Sequence, residues 1–299
     1  MEAGNRSSSG KRIMVRKSKN TGIDPLFFPL GIFTLLFITG PLVYMLVVSF
    51  MQAHGVWGAE AVFSFKNFTR IFEPVYLDTF RQSVKLAFIT TITVVITGYP
   101  FGYFMARLKP RTRNIVMILI IIPFWTSTMM RLYGWIIMFR ANGVLDWLLM
   151  KLHITSAPLR LLYTYPAVVT GMIYGLLPFM IYSVFVSAEK LDRGLIEAAR
   201  IMGATRLRAF LTVSFPLTMP GLFSGIILTF IPSMGLYYIA DILGGNKIIL
   251  VGNLIRDQLL NVHDLPFAAA LSVILMALTT LFLYIYRRVT RSDRLEGLI

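Results

Sequence analysis

The chain has 299 residues, 56% of them hydrophobic and only 14% charged, whereas a soluble globular domain carries about 25% charged residues; that balance excludes water as its main solvent. The formal charge of +15 does not point to nucleic acid, because the basic residues sit at the ends of apolar runs and not on a face with base-stacking elements. The absence of cysteine excludes disulfides and Cys-ligated metals, and with His54, His153 and His263 scattered, no metal site is expected.

Residues 1–24 read as a basic solvated tail, with Arg6, Lys11, Arg12, Arg16, Lys17 and Lys19 set among Ser, Gly and Asn. The apolar run at 26–50 exceeds a signal-peptide core and lacks a small-residue cleavage site, so it is predicted to be a retained first span. A hydrocarbon core about 30 Å thick needs roughly 20 apolar residues in a helix. Five more runs meet that demand, at 86–106, 114–139, 161–188, 209–240 and 265–286. The expectation is an all-α integral membrane domain of about six transmembrane helices over 25–288, followed by a short tail at 289–299.

Lys and Arg concentrate on one side of these spans. The first tail, the turn from Arg107 to Arg113, the connection after the fourth span and the residues after Tyr286 hold nineteen of the 29 basic residues. Cytoplasmic loops retain such an excess, so both termini are expected in the cytoplasm. Pro and Gly interrupt the spans at Gly98 and Pro100, Pro123, Pro178, Pro220 and Gly221, and Pro232 and Gly235. Such breaks fit a transport pathway, where cavity water or neighbouring helices satisfy the freed backbone groups, and they also fit ordinary kinking.

The connection at 189–221 is the longest on the basic side and mixes charges. Leu191, Leu195, Ala198, Ala199 and Met202 recur at three- and four-residue spacing, which places them along one helical face. Gly203 is suited to end that helix. Thr205 is a suitable N-cap for a second short helix, predicted to run to a break at Pro216. Small residues at Ala198, Ala199, Gly203 and Ala204 allow a partner's backbone to approach closely. Periodicity alone equally fits an amphipathic segment resting on lipid headgroups, with Arg200, Arg206 and Arg208 at the interface.

Glu197, Ala198 and Ala199, then Gly203, then Val213, Phe215 and Pro216 resemble the EAA signature of binding-protein-dependent ABC importer permeases, with Val213 and Phe215 as conservative departures. The resemblance implies a type I importer permease fold whose 189–221 loop docks on a separate ATP-binding subunit, so that ATP and Mg are bound by that subunit and no cofactor by this chain. Consistently, the sequence has no Gly-x-x-x-x-Gly-Lys-Ser/Thr phosphate loop. Arg193, Glu197, Ala198, Ala199, Arg200, Gly203, Ala204 and Pro216 are the coupling residues this implies.

Four further stretches, NFTRIFEPVYLDTFRQS from Asn67, PFWTSTMMRLYGW from Pro123, GLYYIADILGGNK from Gly235 and HDLPFAAALS from His263, are similar to segments of the PotB-type permeases of bacterial spermidine/putrescine importers. That resemblance implies an inner-membrane assembly with two ATP-binding subunits, a second homologous permease and an external polyamine-binding protein. Polyamines are flexible polycations, which favour carboxylates and aromatic faces. Asp241, beside Tyr237 and Tyr238, is the candidate pathway acid, with a solvated loop carboxylate as the other reading. Trp125, Tyr133 and Trp135 are further pathway candidates, or an aromatic belt at the interface. A permease for another small organic solute and an ATPase-independent secondary transporter are the competing functional readings; almost no intramembrane acid is available for the latter.

Overall fold

The computed structural model describes residues 27–55 and 58–296; the basic tail predicted at 1–24 lies outside the described residues. Contacts divide the chain into a unit of residues 1–44 and a unit of residues 45–299. The first holds α1 (Phe27–Phe33), a π-helical turn (Thr34–Thr39) and the start of α2 (Gly40–Ser49). Gly31–Ser49 is long and apolar enough to cross a membrane.

The second unit opens with a short antiparallel pair, β1 (Gln52–His54) and β2 (Gly58–Glu60), and with α3 (Lys66–Ile71). Then come α4 (Pro74–Met105), α5 (Pro110–Ile121), a 3-10 turn (Ile122–Trp125), α6 (Thr128–Phe139) and α7 (Val144–Lys151). After α8 (Tyr165–Glu189) follow α9 (Arg193–Ile201), α10 (Arg206–Ala209), a π-helical turn (Phe210–Ser214) and α11 (Phe215–Gly235). The remaining helices are α12 (Tyr237–Gly244), α13 (Val251–Leu260) and α14 (Leu265–Glu296). Among the described residues five helices can cross a membrane, and six can if the bent pair around Trp125 counts as one span.

Helix α8 lies between α4 and α11, and glycine sets both contacts. A methyl group added at Gly102 of α4 would come within 2.6 Å of the Ile181 carbonyl oxygen, and one at Gly221 of α11 within 2.5 Å of the Ser183 carbonyl oxygen. Backbone meets backbone on both sides of α8, the geometry by which helices associate where lipid removes the hydrophobic drive. Val94, Tyr99, Tyr103, Met180, Val184 and Leu222 fill the space among the three helices. At the opposite end of α8, Val168 and Met172 pack with Ile239 and Leu243 of α12. Phe267 and Leu271 of α14 close on Val251 of α13 and Ile71 of α3. The Arg70 to Asp264 ion pair at 2.9 Å, with the guanidinium 4.0 Å from the centre of the Phe267 ring, fixes α3 on that junction.

Three of the expected spans have other bounds in the structure. The second span starts at Pro74, twelve residues before the apolar run, because Pro at the first helical position nucleates a helix whose charged first turns extend beyond the apolar window. The third extends over Pro110–Trp125 and Thr128–Lys151 and breaks at the expected place: the two parts meet at 95°, where Pro123 removes a backbone donor and Thr126 is extended. The fifth ends at Gly235, since Leu236 leaves helical geometry and α12 starts afresh at Tyr237.

Candidate functional site

The segment at 189–221 folds as two helices about a glycine. Asp192 caps α9, its Oδ1 accepting a hydrogen bond from the Gly194 amide at 2.9 Å. Gly203 has φ of +88°; its amide donates to the Arg200 carbonyl at 3.0 Å, and the Ala204 amide donates to the Ala199 carbonyl at 3.1 Å. Those two bonds form a Schellman motif, which accounts physically for an alanine and a glycine four residues apart: Ala199 and Ala204 meet across the cap, and Gly203 takes the left-handed turn. Thr205 then caps α10, its Oγ1 accepting from the Arg208 amide at 3.3 Å.

The expected break at Pro216 does not occur. Arg206–Gly235 runs as one helical stretch of 30 residues, because Pro216 falls in the first turn of α11 just after the π-helical turn. Wider backbone bonding there accommodates the missing proline donor. The short helix is therefore fused to a spanning helix.

Ala199 is buried while Glu197, Ala198 and Arg200 are exposed. Ile201 is 87% and Met202 83% exposed, so an apolar tip projects at the bend. Glu197 forms no hydrogen bond or ion pair with the described residues. Leu191, Phe210 and Phe215 anchor the segment to the core around Tyr99 and Tyr103, and the Tyr99 hydroxyl lies 2.8 Å from Thr218 Oγ1, joining α4 to α11. Arg193 lines a cavity of about 300 Å³ with Arg107 and the Arg113 to Glu189 ion pair, whose charged atoms are 2.6 Å apart. Arg200 and Arg206 border a larger cavity of about 900 Å³ floored by Tyr99, Phe104 and Phe210.

The pathway candidates disperse. Asp241 is no free carboxylate: it is ion-paired with Arg256 and accepts a hydrogen bond from Asn253 Nδ2, with 18% of its side chain exposed. Asn253 also donates to the Tyr237 carbonyl at 3.3 Å, and Arg256 lies 5.3 Å from the centre of the Tyr237 ring. The acid belongs to helix α12, not to a loop, and holds α12 against α13. Asp241→Asn should therefore lower stability by about 1–2 kcal/mol, since Arg256 then keeps only its second carboxylate partner, Asp257, 2.8 Å away, and adding Asp257→Asn should lower it further. Thermal melting in detergent reads both; loss of uptake at unchanged melting would instead assign Asp241 to the pathway.

Of the aromatic candidates, Tyr238 lines a cavity of about 310 Å³ together with Phe124, Arg131, Tyr174, Phe179 and Pro232. Trp135 packs behind it, 5.6 Å from Tyr174 between ring centres. Trp125 at 85% and Tyr133 at 58% are exposed, and Tyr237 is turned to the Asp241 joint. Tyr174 and Phe179 carried no sequence signal, being apolar or aromatic residues inside an ordinary apolar run.

Comparison with known proteins supports a common pattern. The family described as "Binding-protein-dependent transport system inner membrane component" matches residues 98–294. The "Spermidine/putrescine transport system permease protein PotB" of Escherichia coli (strain K12) is 39% identical over 256 residues, covering 86% of this chain and 93% of that protein. The protein of the same name from Haemophilus influenzae is 38% identical, covering 85% and 89%. In fold, the chain is similar to one in the crystal structure of a bacterial alginate ABC transporter in complex with alginate pentasaccharide-bound periplasmic protein. The TM-score is 0.71 and the identity 15%, with 90% of this chain and 93% of that chain covered.

Proposed function

Because this chain belongs to the family of binding-protein-dependent transport system inner membrane components, we propose that it is the permease subunit of an ATP-driven importer carrying spermidine or putrescine across the inner membrane. The bend at Gly203 is the observation that carries this reading. A capped helix, an exposed apolar tip at Ile201 and Met202 and a Glu197 with no partner among the described residues make a projection suited to the cleft of an ATP-binding subunit. Its anchor residues Phe210 and Phe215 reach the bundle core, so movement of the tip passes directly to α4 and α11.

In this reading Arg193, Glu197 and Arg200 supply polar contacts to the ATPase, Ala198 and Ala204 allow its close approach, and Ala199 and Gly203 shape the bend. The basic end of the bundle faces the cytoplasm, as the excess of Lys and Arg there supports. The other subunits would be two ATP-binding chains, a second homologous permease and an external polyamine-binding protein. Phosphate chemistry belongs to the ATP-binding chains; this chain contributes the path. Identity near 39% over most of the chain to permeases named for spermidine and putrescine supports the substrate class.

Reconstitution of the whole importer in liposomes tests the proposal. Spermidine with the external binding protein should raise ATP hydrolysis severalfold and drive uptake, and omission of the ATP-binding subunits should abolish both. Uptake that persists without those subunits would instead make the chain a secondary transporter, and stimulation by a different solute alone would reassign the cargo.

A further inference from the structure

Arg131 is the one charged side chain among those lining the cavity that Tyr238 borders. It stands in the first turn of α6, just past the break in the third span, with its guanidinium carbon 4.3 Å from the centre of the Phe124 ring and 5.8 Å from that of Tyr174. Nη2 donates to Thr128 Oγ1 at 2.9 Å. Nε and Nη1 are buried and meet no acceptor among the described residues. The cavity they border, about 310 Å³, is lined otherwise by aromatic, aliphatic, proline, glycine and threonine residues, with no acid among them; Asp241 of α12 is not among the lining residues and is ion-paired with Arg256.

Burying a guanidinium with two unmet donors is costly unless a compensating charge arrives. Neutral acceptors would satisfy the donors but not the charge, whereas a carboxylate does both. Cargo of the proposed class cannot supply it, since ammonium groups are repelled by Arg131. From these constraints we infer that Arg131 is the docking point for a carboxylate side chain of the second, homologous permease, inserted into the cavity among α6, α8, α11 and α12. This rests on the proposed function, which provides for that second subunit. The pair would serve two ends: it registers the two permeases at the path, and it masks a positive charge that otherwise opposes a polycation.

The test uses the importer purified with its partners and, separately, this full chain alone. Arg131→Gln should lower spermidine uptake about tenfold or more and reduce co-purification of the second permease, because the partner acid is then left buried and unpaired. In the chain alone the same substitution should leave the melting temperature unchanged or raise it, since there it removes an uncompensated charge. Arg131→Glu should be worse in the complex, and changing one acid of the second permease to Arg should restore uptake to that variant alone. Equal loss of stability in the lone chain and in the complex would overturn the inference, as would a complex indifferent to Arg131→Gln. So would an Arg131 defect seen only in anionic liposomes, which would name a lipid headgroup as the partner, or carboxylate solutes stimulating ATP hydrolysis in an Arg131-dependent way. If the wild-type importer proves not to transport spermidine, the functional reading fails, and co-purification with the charge swap still decides the docking.

Discussion

Gly203→Val should abolish ATP-linked uptake while leaving the chain folded in the membrane. At φ of +88° a β-branched side chain clashes with its own backbone, at about 1–3 kcal/mol, which reduces the bent form by a factor of about 5–150. The bundle core does not depend on this turn, because an added methyl at Gly203 would meet nothing within 4 Å; the penalty falls on conformation and not on packing. A graded series follows, with Gly203→Asn mildest, Gly203→Ala intermediate and Gly203→Val most severe, since Asn tolerates left-handed backbone best. Spermidine-stimulated ATP hydrolysis measured beside membrane yield checks it. Full stimulation in the Val variant would remove the bend from coupling.

The second large effect is on folding. Gly102→Val and Gly221→Val should each destabilise the bundle by about 1–3 kcal/mol, and the two together by about twice that. In both the intruding carbon meets a backbone oxygen of α8, at 2.6 Å and 2.5 Å, and neither can swing aside as a side chain would. Gly134→Ala is the control, having open space around it and a place in α6 where no neighbour approaches within 4 Å. Thermal stability in detergent, followed by size-exclusion chromatography, reads the difference. A Gly221→Val chain that melts like the wild type would mean that α8 and α11 do not meet as closely as described.

The spans and the bend in the segment at 189–221 were legible in sequence for different reasons. Apolar runs longer than 20 residues have few physical outcomes, so five of the expected spans could hardly be anything else. The Glu197, Ala198, Ala199 and Gly203 spacing fixes a capped bend, and both caps, Thr205 included, form where their residue types place them. Continuity through Pro216 was not legible, because its cause is a π-helical turn at Phe210–Ser214, which no local pattern announces. The start of α4 was missed because charged first turns fall below any hydropathy threshold although Pro74 starts the helix. The ion pair of Asp241 was hidden for a tertiary reason: its partner Arg256 lies beyond a turn and on another helix, and sequence showed only a lone acid next to two tyrosines. The cavity around Arg131 is likewise a product of packing, built by α6, α8, α11 and α12 from residues that individually read as ordinary lipid-phase side chains.

Fusion of α10 to α11 sets the mechanical scale of the machine. Thirty helical residues from Arg206 to Gly235 make a rod about 45 Å long at 1.5 Å per residue, with its foot at the capped bend and its head at the Leu236 joint. Foot and head belong to one unbroken helical run, so tipping the foot by about 5° as a rigid rod would sweep the head through roughly 4 Å, close to the width of an alkyl chain. A stroke that small, delivered at the top of the stalk, is enough to widen or pinch a passage for a slender, flexible solute, and a hinge inserted at Phe210–Ser214 would dissipate it.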